Sequence, residues 1–112
     1  MRKSSNGGAS WSNVDYVTNG WPAYARGVVV DSFGRIFAVG FLSATTSSWL
    51  VRGSADGGAT WTPTDFFLPS GYTSAQAYSA TPDALGNVCV LGTLGDGNES
   101  DDMAIVRRLT TP

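Results

Sequence analysis

An all-β fold built from two copies of a four-stranded unit is what this sequence predicts, and three observations carry the prediction. The first is composition. Glycine accounts for 14 of 112 residues, aromatics for 12% and charged residues for 14%. Such a chain suits many short strands joined by tight turns. The second is repetition. Trp11 and Trp61 stand 50 residues apart, and Asp15 and Asp65 keep that offset. Val30 to Gly40 aligns with Pro82 to Gly92 at an offset of 52, and Trp49 to Arg52 with Ala104 to Arg107 at 55. The third is where the extra residues fall. They lie around Ser70 to Gln76 and in Asp96 to Asp102, between apolar runs, as variable loops of a repeated unit should. A period of about 50 residues with four strands per unit predicts antiparallel blades of a β-propeller, two per chain.

Taken in order, Met1 to Ser5 reads as the end of a third strand and Ala9 to Tyr16 as a fourth. Tyr24 to Val30 is apolar and β-branched. Asp31-Ser32-Phe33-Gly34 turns the chain, with Gly34 free to take positive φ, and Ile36 to Leu42 completes the hairpin. A polar loop, Ser43 to Ser48, leads to a third strand, Trp49 to Ser54. Ala55-Asp56-Gly57-Gly58 makes the next tight turn. Ala59 to Phe66 is the fourth strand, and Pro63, which lacks a ladder donor, places it at an edge. Leu68 to Ser74 connects to the second unit, whose first strand begins near Gln76. Its third strand is Met103 to Leu109. Residues 1–112 thus form one two-blade unit, with repeat one over about 2–51 and repeat two over about 52–106. A surplus fourth strand at the N-terminus matches a missing one at the C-terminus. The bare Met1 ahead of a half-complete motif points to a trimmed chain.

Each fourth strand is introduced by a motif. Arg52-Gly53-Ser54-Ala55-Asp56-Gly57-Gly58-Ala59-Thr60-Trp61 carries Ser-x-Asp-x-Gly-x-Thr-Trp, and Ser4-Ser5-Asn6-Gly7-Gly8-Ala9-Ser10-Trp11 repeats it. A short side-chain acceptor two residues into a hairpin can bond the N–H groups of its own turn. Glycines allow left-handed torsions, and the tryptophan returns over the turn to bury apolar area. The motif resembles the Asp-box, or bacterial neuraminidase repeat, of sialidases, other propeller glycosidases and sortilin-type receptors. Ser54, Asp56, Gly58, Thr60 and Trp61 match it residue by residue. Ser4, Gly8, Ser10 and Trp11 match as well, with Asn6 in place of the aspartate. The amide oxygen of Asn6 can still accept a turn hydrogen bond. The resemblance implies a propeller whose boxes lie at the blade periphery with a structural role. It implies a parent protein secreted or on a bacterial cell surface, and no single activity, because the families that carry the box share none.

Several chemistries can be weighed. With a net charge of −2 and no basic stripe, the chain offers no footprint for nucleic acid or an anionic membrane. There is no apolar run long enough to span a bilayer. Sialidase chemistry needs an arginine cluster, a Tyr–Glu nucleophile pair and a general acid. Glu99, the one glutamate, sits in a polar loop, and Arg2, Arg52 and Arg107 recur beside the boxes as a structural feature. No catalytic residue and no enzyme activity is expected. Asp96 to Asp102 resembles a calcium loop in its spacing of acids and amides, but its glycine and glutamate are misplaced, so a solvated loop is expected, with no metal and no cofactor. The lone Cys89 reads as a buried small hydrophobe. Trp21, Tyr24, Tyr72, Tyr78 and Trp49 are loop aromatics that could stack on sugars or plug the packing between blades.

Two blades cannot close a ring, and propellers have about 4–8. The expectation is therefore a structural repeat protein or propeller fragment whose partner is itself. A six-bladed homotrimer is favoured over a tetramer or a dimer. The alternatives are a carbohydrate-binding, lectin-like module with glycans as partners, and a non-catalytic fragment of a sialidase-like hydrolase.

Overall fold

A computed structural model describes residues 1–15, 17, 21–96 and 103–109. The chain is all-β, with no helix among the described residues. Among the described residues nine strands follow in order: β1 (Arg2–Lys3), β2 (Ser12–Asn13), β3 (Ala23–Val30), β4 (Ile36–Ser43), β5 (Ser47–Ser54), β6 (Thr62–Phe67), β7 (Ser74–Pro82), β8 (Val88–Gly95) and β9 (Met103–Leu109). β1 and β2 pair as a small separate hairpin. β3 to β6 form one antiparallel meander and β7 to β9 another. A single parallel pair, Ser47 with Ser74, makes the two meanders one seven-stranded sheet.

Local chemistry explains the turns. The Asp31 carboxylate accepts the N–H groups of Phe33 and Arg35, each at 2.9 Å. Asp83 does the same for Leu85 and Asn87, at 2.8 and 2.9 Å. Gly34 and Gly86 close these turns at φ of +79° and +86°, a region that costs other residues about 1–2 kcal/mol. β3 and β7 each carry a bulge, with Arg26 and Tyr78 left out of register. Each bulge drives a carbonyl into the neighbouring strand. A Cβ on Gly40 would stand 1.8 Å from the Tyr24 oxygen, and one on Gly92 would stand 2.0 Å from that of Gln76. Only glycine fits at either place.

The core lies between the two meanders, which fold face to face. Phe37, Val39, Trp49 and Val51 of the first pack on Ala75, Ala77, Val88, Val90 and Leu94 of the second. Burying a valine or phenylalanine side chain stabilises by roughly 1.5–3 kcal/mol, so this seam is the main source of cohesion. Trp49 is fully buried in β5 and meets Phe67 edge to face at 6.0 Å. It is therefore no loop aromatic: its neighbours in an apolar strand draw it into the seam, and its indole Nε1 has no hydrogen-bond partner there.

Strand limits differ from expectation where side chains cap the turns. The fourth strand begins at Thr62 and not at Ala59, because residues 59–61 belong to the turn that Asp56 organises. For the same reason the N-terminal strands shrink to Arg2–Lys3 and Ser12–Asn13. Tyr16 lies outside the described residues. β5 starts earlier than expected, at Ser47, and β7 at Ser74. Cys89 is half-buried, on the side of β8 that faces away from the seam.

Candidate functional site

The two Ser-x-Asp/Asn-x-Gly turns have the same wiring. Ser54 Oγ accepts the Gly58 N–H at 2.9 Å and donates to Asp56 Oδ1 at 2.8 Å. Asp56 Oδ1 also accepts the Thr60 N–H at 2.8 Å, and Asp56 Oδ2 accepts the Thr60 hydroxyl. The Thr60 hydroxyl, then the Thr60 N–H and the Ser54 hydroxyl, hold the Asp56 carboxyl well below the usual carboxylate range. Trp61 Nε1 donates to the Gly58 oxygen at 2.9 Å. In the N-terminal copy Ser4 Oγ accepts from Gly8, Asn6 Oδ1 accepts from Ser10, and Trp11 Nε1 donates to Gly8. One bond reverses: Asn6 Nδ2 donates to Ser10 Oγ at 2.7 Å, where Thr60 donates to Asp56. Gly7 and Gly57 lie at φ of +71° and +73°, and Gly8 and Gly58 at +96° and +92°. All ten motif residues thus serve their own turns.

Outside the turns, ion pairs tie one segment to the next. Arg52 of β5 grips Asp15 with both its Nε and Nη2, at 2.5 and 2.7 Å. Arg107 of β9 grips Asp65 of β6 in the same way, at 2.8 and 2.9 Å. The hydrogen bond to Asp15 raises the Arg52 pKa further, against the opposing effect of burial. The hairpin β1–β2 is therefore held on the far face of the first meander. Lys3 Nζ adds a bond to the Gly57 oxygen at 2.5 Å. Beside the hairpin lie cavities of about 190 and 460 Å³. Ala23, Ala25, Ala38 and Ile36 are among the residues that line them.

The opposite end of the molecule shows a bare apolar face. Leu91 and Val106 pair across β8 and β9, and they are 46% and 62% exposed. Their counterparts in the first meander, Val39 and Val51, also pair with one another and are almost wholly buried under β7 and β8. The counterparts of the cavity-lining Ala23, Ala25, Ala38 and Ile36 are Ala75, Ala77, Val90 and Val88. Each of those is fully buried in the seam.

The aromatics named in the sequence do not form one site. Tyr24 stacks on Phe41 at 4.9 Å, and the Arg26 guanidinium lies 5.2–5.9 Å from the rings of Phe41, Tyr24 and Tyr78. Trp21 is half-exposed, and the Tyr72 hydroxyl points at the Met103 sulfur. No three metal-ligating side chains converge among the described residues. Glu99 and the rest of Asp96 to Asp102, save Asp96 itself, lie outside them. What sequence reasoning missed is the pairing of the repeated arginines with the repeated aspartates. Both sets recur in the sequence, and their shared spacing was the available signal. Comparison of the chain with family models and with curated proteins returned no match.

Proposed function

We propose that this chain is a structural repeat protein of two propeller blades that assembles with copies of itself into a closed ring, with no catalysis of its own. A six-bladed ring of three chains is the favoured form. One observation carries the reading. The face formed by Leu91 and Val106 is open, while the equivalent face of Val39 and Val51 is the buried seam of the molecule. A second copy docking its Ala23–Ala25–Ala38 face there would repeat an interface the chain already makes internally. The repeated Arg–Asp pairs supply the same register mark on each successive unit. An apolar sheet face and an edge strand left open are liabilities that proteins normally cover, and a head-to-tail contact between like chains closes into a ring when its rotation allows. Native mass spectrometry tests this directly. Three times the 11.7 kDa chain mass is expected; two or four copies would change the blade number, and a monomer at micromolar concentration would end the proposal.

A further inference from the structure

We infer that, on assembly, strands exchange: β1 of one copy takes the place of residues 107–109 of its neighbour, and Arg2 replaces Arg107 as the partner of Asp65. This rests on the ring reading above. The argument begins with three equivalent arginines. Arg52 sits across from Pro63 on the outer strand β6, and Arg2 sits across from Asn13 on β2 in the same register. Arg52 Nη2 reaches the Trp61 oxygen at 3.5 Å, and Arg2 Nη2 reaches the Trp11 oxygen at 3.3 Å. Arg107 occupies the matching place on β9. Arg52 holds the carboxylate of Asp15, two residues past β2, and Arg107 holds that of Asp65 on β6. Arg2 holds none among the described residues.

By analogy with Arg52 and Arg107, the carboxylate that would complete Arg2 belongs to an outer strand packed before β1. In a ring of copies that strand is β6 of the neighbour, and its carboxylate is Asp65. Asp65 already binds Arg107 of its own chain. The two arginines are therefore rivals for one acceptor, and β1 and the end of β9 are rivals for one edge of β8. The contest favours β1. It arrives with the hydrogen-bonded Ser4–Trp11 turn and with β2, an outer strand of the kind that β6 supplies to β5. Residues 107–109 have one ladder partner among the described residues, β8, and are otherwise held by the Arg107 contacts with Asp65 and Phe67 and by Leu109 against the seam. The hairpin need not leave its own chain, because the Arg52–Asp15 pair keeps it seated while the neighbour's β7 and β8 enter the cavities beside it. The Arg107 side chain is 33% exposed against 19% for Arg52, and its guanidinium also lies 3.7 Å from the centre of the Phe67 ring, a contact that Arg2 takes over with the carboxylate.

The test is the dissociation constant of the full-length assembly, measured by analytical ultracentrifugation, for Arg2→Gln and Arg107→Gln. Exchange predicts opposite signs. Arg2→Gln removes the incoming partner and weakens assembly about tenfold or more, the scale of a charge-assisted hydrogen bond. Arg107→Gln removes the competitor and tightens assembly by a similar factor. Urea unfolding of each variant below the dissociation constant checks that it folds. If the unsubstituted chain assembles and the two variants shift in the same direction, or either is unchanged, the exchange is overturned and the ring stands. If the unsubstituted chain does not assemble, both fall.

Discussion

Val51 and Val106 occupy the same position in successive units, yet one is fully buried and the other 62% exposed. The same truncation to alanine at both sites therefore measures what covers the second. At Val51 the lost carbons correspond to about 1.6 kcal/mol of transfer free energy, and the cavity they leave brings the cost to about 2–2.5 kcal/mol. At Val106 in an isolated chain, with little over a third of the side chain buried, the same arithmetic gives about 0.6 kcal/mol. In an assembly that buries this face, the Val106→Ala cost should climb towards the Val51→Ala value. The assay is urea unfolding of both variants at protein concentrations above and below the dissociation constant. The slope of stability against urea should also steepen above it, because more surface is exposed on unfolding. A Val106→Ala cost that stays near 0.6 kcal/mol while mass measurements show an oligomer would refute the reasoning, because some other face would then form the contact.

Two further outcomes follow from the turns and bulges. Gly40→Ala puts a Cβ 1.8 Å from a carbonyl oxygen and should cost about 3 kcal/mol or more, while Gly34→Ala meets open space at φ of +79° and should cost only about 1–2 kcal/mol; equal urea midpoints for the two would show that close approach is not what selects Gly40. Burial works against the charge on Asp31, but the N–H groups of Arg35 and Phe33 and the Arg35 guanidinium outweigh it and lower the Asp31 pKa. Asp83 is lowered chiefly by the Asn87 N–H. A carboxyl that binds its proton less readily when folded adds stability above its unfolded pKa of 3.8 and loses it as pH falls through the folded value. The urea midpoint should thus hold steady near neutrality and drop below about pH 4, and Asp31→Asn should flatten that drop; an equally steep drop in the variant would assign acid sensitivity elsewhere.

The β3–β4 hairpin was legible because Asp31 and Gly34 each have one turn chemistry to offer, and the apolar runs beside them alternate with little ambiguity. The Asp-containing turn was legible for the same reason, down to its acceptors. The bulges at Arg26 and Tyr78 were not. Nothing local marks them, and the glycines that permit them, Gly40 and Gly92, lie on a different strand, so only the pairing of strands reveals why those residues are glycine. Trp49 was ambiguous because a tryptophan after a polar serine run suits a loop tip and a strand start equally, and tertiary burial decided it. The bond between Arg52 and Asp15 spans 37 residues. Both partners could be seen repeating, but periodicity aligns like with like and does not say which unlike residues meet.

Among the described residues the Ser47–Ser74 pair is the only ladder joint between the two meanders. Hydrogen bonds prescribe direction and spacing, whereas packed side chains prescribe only volume. The tilt between the meanders is consequently a matter of how much hydrocarbon fills each end of the seam. Ala75 and Ala77 lie on one side of it, with Trp49 and Phe37 among the bulkier groups opposite. One added or deleted methyl at an alanine acts on the tilt of a whole sheet, while changes within a ladder stay local. In this fold the angular geometry is a steric quantity, tuned by small residues whose own burial contributes little to cohesion.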